Sequence, residues 1–274
     1  MQNQKILYNS KRIYRDYARR NYLEKAEIAI LDKLSPELAN MEMLDLGVGG
    51  GRTTSYFAPI VKSYTGADYA CQMIRICKEK FKDQYTFNES DARSMKEYED
   101  NSFDFVLFSF NGIDSFGHED RLMALKEIRR VLKNNGYFCF SSHNLNWENL
   151  HNLFNFKLNN LINHNIHEIR NQIRYFFYQT RAKYRIIRLN FLNRSFKTEN
   201  LITRLREMDY GHIYDNSLNG KAKIYYITHS EQLRQLRAVG FKNIFSYSIN
   251  GINTENEDEL NKGGWIYYLC QADK

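Results

Sequence analysis

The sequence lacks the features that staple a small secreted domain or hold a chain in a membrane. Its four cysteines are scattered, form no C-x-x-C pair and fall mostly within apolar runs, as reduced core thiols do. No run of about 18 apolar residues occurs, and the opening MQNQKILYNSKR has no apolar segment of signal-peptide length. No tandem repeat or low-complexity tail is present. These absences argue against a disulfide scaffold and predict a soluble protein of the reducing cytoplasm, with no membrane partner.

Positive charge is in modest excess and unevenly placed. The 274 residues are enough for one large α/β domain with an elaboration, and the net charge is +7. Such an excess favours an anionic partner, although it is also common on solvated surfaces. Eleven lysines and arginines, against two acids, fall between residues 151 and 206. The charge is therefore concentrated in one segment.

A glycine-rich turn organises the first half of the chain. The stretch 43–54 reads MLDLGVGGGRTT, in which an apolar run ending at Asp45 predicts a buried strand and a helix is expected near Thr53. The glycines of the turn are Gly47, Gly49 and Gly51. Without Cβ atoms they let a ligand approach the main chain, and the N–H groups of the following helix face that ligand. The pattern predicts a nucleotide-binding turn.

The next strand supplies the other half of the nucleotide signal. Val61–Asp68 ends in an acid about twenty residues beyond the glycines, where a carboxylate would bind the ribose diol. The dinucleotide fingerprint G-x-G-x-x-G is absent, because its third glycine is Arg52 here. This departure argues against a nicotinamide or flavin enzyme.

Five ordered blocks resemble the class I S-adenosylmethionine-dependent methyltransferases: LDLGVGGGR, GADYACQMI, SDARSM, FDFVLFSFNGID and EIRRVLKNNGYFCFSSHN. The resemblance covers residues 42–144 well and the carboxyl-terminal part loosely. It implies an α/β fold with a Rossmann-like, seven-stranded, mostly parallel sheet, helices on both faces and an antiparallel last strand. It also implies S-adenosylmethionine as cofactor and S-adenosylhomocysteine as product.

The same resemblance divides the chain into three parts. We expect an amino-terminal helical cap over 1–40, a methyltransferase domain built from 41–146 and 224–274, and an inserted substrate-binding lid over 147–223.

The cap is predicted to touch the cofactor. Residues 8–33 carry apolar and aromatic side chains at three-to-four spacing, which predicts one or two amphipathic helices. By resemblance, Tyr14 or Tyr17 could contact the methionine end of the cofactor. Packing within the helices is the alternative for both.

The resemblance also assigns contacts to the adenosine. Tyr69 and Met73 would flank the adenine, with helical packing as the alternative. Asp91 would accept from the adenine amino group and Ala92 would offer its backbone N–H, whereas a helix N-cap is the other reading of Asp91. The remaining positions assigned to the cofactor are Asp45, Val48, Ser109 and Phe110, together with Gly47, Gly49, Gly51 and Asp68.

The catalytic candidates follow the carboxyl ends of the strands, where open α/β sheets bind ligands. Methyl transfer to a hydroxyl or ammonium needs a base, and histidine has a suitable unperturbed pKa. We predict His143 as the base and His118 as the second choice, with Asp114 and Asn111 facing the acceptor. Turn and capping chemistry, or a hydrogen-bonded structural histidine, is the alternative.

The insert departs from the family pattern. Its composition predicts a helix over Trp147–His167 and strands at Arg174–Tyr178 and Tyr184–Phe191. His164 and His167 could share a helix face as a metal pair, but no third ligand lies at a convincing spacing. We therefore predict no metal site and read them as a solvated helix face.

Three functions are compatible with these observations. The first is O- or N-methylation of a small molecule, such as a sugar or other anionic metabolite, whose acidic group meets arginines of the lid. The second is methylation of RNA by way of the basic, aromatic insert. The third is an interaction protein that keeps the fold without turnover, against which the intact glycine turn and both carboxylates argue.

Overall fold

In a computed structural model of the chain, the described residues are 2–82, 84–154, 169–193 and 198–274. Their helices are α1 Gln2–Tyr8, α2 Lys11–Ala18, α3 Lys25–Leu38, α4 Thr54–Phe57, α5 Cys71–Phe81, α6 His118–Val131, α7 Ile169–Leu192, α8 Thr198–Glu207, α9 His229–Val239 and α10 Glu257–Leu260. Their strands are β1 Glu42–Leu46, β2 Ser63–Asp68, β3 Thr86–Glu89, β4 Phe103–Phe108, β5 Leu132–Asn144, β6 Tyr210–Tyr214, β7 Lys223–Ile227, β8 Phe241–Tyr247 and β9 Trp265–Ala272.

The strands form a mixed sheet with a parallel centre. The order β3-β2-β1-β4-β5 is parallel throughout, β9 runs antiparallel beside β5, and β8 pairs with the outer edge of β9. These seven strands confirm the predicted Rossmann-like, mostly parallel sheet with an antiparallel last strand. β6 and β7 are an additional antiparallel hairpin contributed by the insert.

Consecutive side chains of β4 pack into two different apolar cores, as expected of a central strand. Phe105 and Leu107 pack into one apolar core, whereas Val106 and Phe108 pack into the other. A strand that is buried on both faces reads as a continuous apolar run, as the sequence FDFVLF does. Each core packs the helices of one face against the sheet. The carboxyl ends of the strands lie at the edge where open α/β sheets bind ligands.

The hairpin of the insert lies at that edge. β7 pairs with β5 only at His143 and Asn144, and His143 also pairs with Trp265 of β9. At His143, β9 lies on one edge of β5, so β7 lies on the other edge. Nearer the start of β5, that other edge is occupied by β4. A further apolar core joins the insert to the strands beside it, formed by Leu145, Leu150, Phe154, Leu189, Leu201, Ile202, Leu205, Ile213, Ile224 and Tyr226.

Two expectations for the insert are corrected. The strands predicted at Arg174–Tyr178 and Tyr184–Phe191 are wrong, because both segments lie within helix α7. Their aromatic and β-branched residues have a high strand propensity, but that propensity is a weak guide where packing decides the structure. Of the helix predicted over Trp147–His167, the described part contains only a 3₁₀ turn at Leu150–Leu153. The rest, with His164, lies outside the described residues, as does His167.

The first part of β5 is irregular. β5 starts at Leu132 and passes through Asn134–Gly136. The pairing with β4 shifts register there, and Asn135 has a φ of +61°.

Candidate active site

The glycine turn follows β1 and has the backbone that its sequence predicts. Gly47 and Gly49 have φ values of +60° and +56°, which residues with a Cβ rarely adopt. A Cβ on Gly49 would lie 3.1 Å from the Tyr17 ring. The turn therefore brings main chain without a side chain close to the ring of Tyr17 in α2.

Asp68 at the end of β2 points at this turn. Its carboxylate accepts hydrogen bonds from the backbone N–H of Gly49 at 3.0 Å and of Ala70 at 2.8 Å. Burial raises the pKa of Asp68 to about 6, and the two N–H donors oppose that rise. The acid that would bind a ribose is thus held beside the glycine turn.

A cleft opens above Asp68 and the turn. We call it the cofactor cleft; it is lined by Tyr8, Tyr17, Leu46, Gly47, Gly49, Asp68, Tyr69, Met73, Ser90, Asp91, Ala92, Phe108, Ser109, Phe110, Gly112, Ser115 and Phe116. Among the described side chains, the buried hydroxyls of Tyr69 and Ser90 have no hydrogen-bond partner. Buried hydroxyls are normally satisfied. The cleft therefore fits a ligand with both polar edges and apolar faces, as an adenosine has.

Most of the sequence-predicted cofactor residues meet in this cleft. Asp91 lines it, but its carboxylate also binds the Arg93 guanidinium at 2.6 Å, which lowers the pKa of Asp91. The Ser109 hydroxyl is already bonded to neighbouring side chains within the protein. Tyr17 lines the cleft, whereas Tyr14 is not among the lining residues.

Three predicted residues lie outside the cleft lining. Asp45 is buried beneath the turn, where it accepts from the Thr53 hydroxyl at 2.5 Å and the Tyr64 hydroxyl at 2.7 Å. Burial raises its pKa to about 6. Val48 is buried, and Gly51 lies against the Phe81 ring. The structure gives these residues a role in supporting the turn rather than in facing a ligand.

A buried ion pair beneath the turn was missed by sequence reasoning. Arg52 binds Glu27 of α3 through two hydrogen bonds of 2.6 Å, and its guanidinium also reaches the Ser109 hydroxyl at 3.1 Å. The Tyr267 hydroxyl of β9 donates to Glu27 at 3.2 Å. This cluster connects α3, the glycine turn, β4 and β9. Arg52 at the third-glycine position was the one sequence feature that pointed to this pair, but the residues near it in the sequence did not identify Glu27 as its partner.

A second, larger cavity adjoins the cleft. We call it the acceptor cavity; it is lined by Tyr8, Ile13, Arg15, Asp16, Tyr17, Arg19, Arg20, Phe110, Asn111, Ser115, His143, Asn216, Ser217, Ile224 and Trp265. The two cavities share Tyr8, Tyr17, Phe110 and Ser115. Phe110 and Asn111 both have positive φ values, +53° and +59°. Such strained backbone is often found at ligand sites, and here it lies between the two cavities.

His143 lines the acceptor cavity and is held from behind by Asp114. The buried Asp114 carboxylate accepts from His143 Nδ1 at 2.7 Å, the His143 backbone N–H at 2.6 Å and the Ser142 hydroxyl at 2.7 Å. It also forms a 2.6 Å ion pair with Arg121. Because an ionised carboxylate only accepts, Nδ1 carries the proton. In the neutral ring, Nε2 then has its lone pair available, with Asn111 Nδ2 at 3.5 Å.

The other two catalytic candidates are placed differently. Asp114 contacts His143 but lines neither cavity, so it acts as a positioning residue. His118 does not meet His143. Its Nδ1 lies 2.9 Å from the Tyr225 hydroxyl, and its ring stacks on Tyr210 at 4.2 Å, outside the lining of both cavities.

Comparisons with known proteins agree with this geometry. Residues 44–140 match the family model described as a methyltransferase domain. This match agrees with the resemblance to the class I S-adenosylmethionine-dependent methyltransferases. A solved S-adenosylmethionine-dependent methyltransferase from Clostridium acetobutylicum has the same fold, with a TM-score of 0.58 at 14% identity over 91% of this chain and 92% of that one. Another from Mesorhizobium loti gives 0.56 at 13% over 90% and 97%.

Curated relatives cover less of the domain. An uncharacterized methyltransferase, YcgJ, of Bacillus subtilis is 26% identical over 147 residues, 52% of this chain and 56% of that protein. The demethylmenaquinone methyltransferase of Staphylococcus aureus is 36% identical over 100 residues, 35% of this chain and 40% of that protein. The chain thus spans about half the length of the curated relatives that it matches.

The cofactor of this methyltransferase domain is S-adenosylmethionine, and the residues of the cofactor cleft fit it. Asp68 would bind the ribose hydroxyls beside the glycine turn, and Tyr69, Met73 and Ala92 would enclose the adenine. Within the described ranges, no helix meets the length and apolarity that crossing a bilayer requires. The same ranges contain no group of three or more metal-ligating side chains placed to hold an ion.

The Glu27–Arg52 pair generates a stability prediction. Glu27→Gln leaves the buried Arg52 guanidinium without its counter-charge, which we expect to lower the free energy of unfolding by about 3–5 kcal/mol in urea denaturation. The matched control is Glu79→Gln, which removes an exposed pair with Arg75 and should cost less than about 1 kcal/mol. A Glu27 variant as stable as the control would contradict the role given to this pair.

The raised pKa of Asp68 generates a pH prediction. The ionised carboxylate is the form that accepts from ribose hydroxyls, so S-adenosylhomocysteine affinity should be constant above the Asp68 pKa of about 6. Below it, affinity should fall by up to about tenfold per pH unit, measured by calorimetry.

The control for this titration is Asp68→Asn, whose affinity should be weak and independent of pH in the same range. If Asp68→Asn kept the wild-type pH dependence, another group, such as Asp45, would be responsible for it.

Proposed function

We propose that this protein methylates an oxygen or nitrogen atom of a small molecule bound in the acceptor cavity, with His143 as general base. One observation carries the proposal: the acceptor cavity, which shares lining residues with the cofactor cleft, contains a histidine whose Nδ1 is bonded to a buried carboxylate and whose Nε2 makes a long, 3.5 Å contact with Asn111 Nδ2. A general base needs this combination of access and orientation.

The chain's own residues would supply positioning more than chemistry. When bound, S-adenosylmethionine supplies an electrophilic methyl group. Asp68 and the glycine turn hold the nucleoside, and Tyr8 and Tyr17 of the amino-terminal helices cover the passage between the cavities and exclude water. Holding two reactants aligned and close accounts for much of the rate enhancement in transfers of this kind.

His143 would then take the acceptor's proton. Nε2 receives it, and the imidazolium that forms is stabilised by the Asp114 carboxylate at Nδ1. Arg121 and Ser142 hold the Asp114 carboxylate in place, so that the ring does not turn away from the cavity. His143 would thus act as a general base that Asp114 orients.

The shape of the cavity supports a small acceptor over RNA. Walls from α2, the bend at Phe110 and Asn111, and the segment before β7 surround it. Of the basic residues concentrated in 151–206, those whose side chains are described do not line it. One relative, named a demethylmenaquinone methyltransferase, is also named for a small-molecule acceptor.

His143→Gln tests the base. We expect it to lower kcat by about a hundredfold to ten-thousandfold, because proton transfer is lost. S-adenosylhomocysteine affinity should be unchanged, since His143 does not line the cofactor cleft. The assay is transfer of radiolabelled methyl from S-adenosylmethionine to a metabolite panel.

The control is His118→Gln, which removes a histidine that lines neither cavity and should keep most of the activity. Full activity in His143→Gln would remove the base from the proposal. Labelling of RNA with a steep salt dependence, and of no metabolite, would favour the RNA function. Absence of S-adenosylmethionine binding would leave an interaction protein.

A further inference from the structure

Helix α2 and the residues directly after it contribute three arginines to the lining of the acceptor cavity, namely Arg15, Arg19 and Arg20. The lining contains one carboxylate, Asp16, and it pairs with Arg20 at 2.8 Å. Within the described residues, Arg15 and Arg19 have no carboxylate within 4.0 Å. The cavity thus has two arginines whose charge is not balanced by a neighbouring acid.

Another part of the lining is aromatic. The rings of Phe110 and Trp265 lie with their centroids 6.2 Å apart, and Ile224 adds apolar surface from the hairpin. Arg20 lies over the Phe110 ring at 5.1 Å, which holds the segment after α2 against these rings. The cavity therefore combines apolar rings with cationic side chains.

We propose that the methyl acceptor carries a carboxylate or phosphate group that Arg15 and Arg19 bind, on an apolar body that packs against Phe110 and Trp265. The guanidinium suits this task, because its N–H groups bind two oxygens of such an anion at once. Asn216 and Ser217 line the same cavity and offer further donors. Recognition of the acidic group is thereby assigned to the end of α2 and the residue after it rather than to the basic residues of the insert. This inference rests on the proposed function.

The test measures preference between a charged ligand and its neutral counterpart. Protein saturated with S-adenosylhomocysteine is titrated by calorimetry with 4-hydroxybenzoate, phenyl phosphate and the uncharged 4-hydroxybenzamide. We expect the wild type to bind one of the two anions at least about tenfold more tightly than the amide, as two charge-assisted contacts allow. The stronger anion then shows whether carboxylate or phosphate is preferred.

Arg15→Gln/Arg19→Gln should reduce this preference to less than about twofold. The matched control is Arg75→Gln/Arg234→Gln, which changes the net charge equally at two exposed arginines on other helices and should keep the preference.

Equal binding of acid and amide, no binding of either anion up to about 10 mM, or an unchanged preference in the α2 variant would each overturn the inference. S-adenosylhomocysteine binding is measured first on the same samples. If it binds and no anion preference appears, the inference alone fails. If it does not bind, the proposed function fails as well.

Discussion

The hydrogen bond between the Asp68 carboxylate and the Gly49 backbone N–H is the contact on which the site depends. It joins the end of β2 to a turn that only glycine accommodates, and so fixes an acid beside bare main chain. Asp45 is also buried and also has a raised pKa, yet it does not line the cofactor cleft, and its Oδ2 accepts from the Thr53 and Tyr64 hydroxyls. Two similar acids thus have different positions: Asp45 supports the turn from beneath, and Asp68 lines the cleft.

The same separation between support and contact recurs on the acceptor side. Arg121 and Asp114 are fully buried and hold His143, which alone of the three reaches the cavity. Beneath the glycine turn, the Glu27–Arg52 pair plays a comparable supporting part. Buried charges of this kind contribute little net stability but are costly to break, so they fix geometry.

Local patterns in the sequence predicted the sheet, the glycine turn and the neighbourhood of Asp114 and His143, because strand ends bring sequence-distant residues to one edge. They did not predict the Glu27–Arg52 pair, whose partners come from different elements. They also predicted strands where α7 lies, because β-branched and aromatic residues favour strands but tertiary packing can override that preference. The anion-binding arginines were expected in the insert, where the charge is concentrated. We now propose them at Arg15 of α2 and at Arg19, which follows that helix, because only the fold shows which basic residues line a cavity.

The central claim is that the cleft above Asp68 holds the adenosine of S-adenosylmethionine. A crystal structure of the protein with S-adenosylhomocysteine tests it most directly. The account predicts that the two ribose hydroxyls lie within hydrogen-bonding distance of the Asp68 carboxylate, that the adenine lies beside Tyr69 and Met73, and that the sulfur faces the acceptor cavity near Phe110. Nucleoside density at any other site, or Asp68 turned away from the ribose, would contradict it.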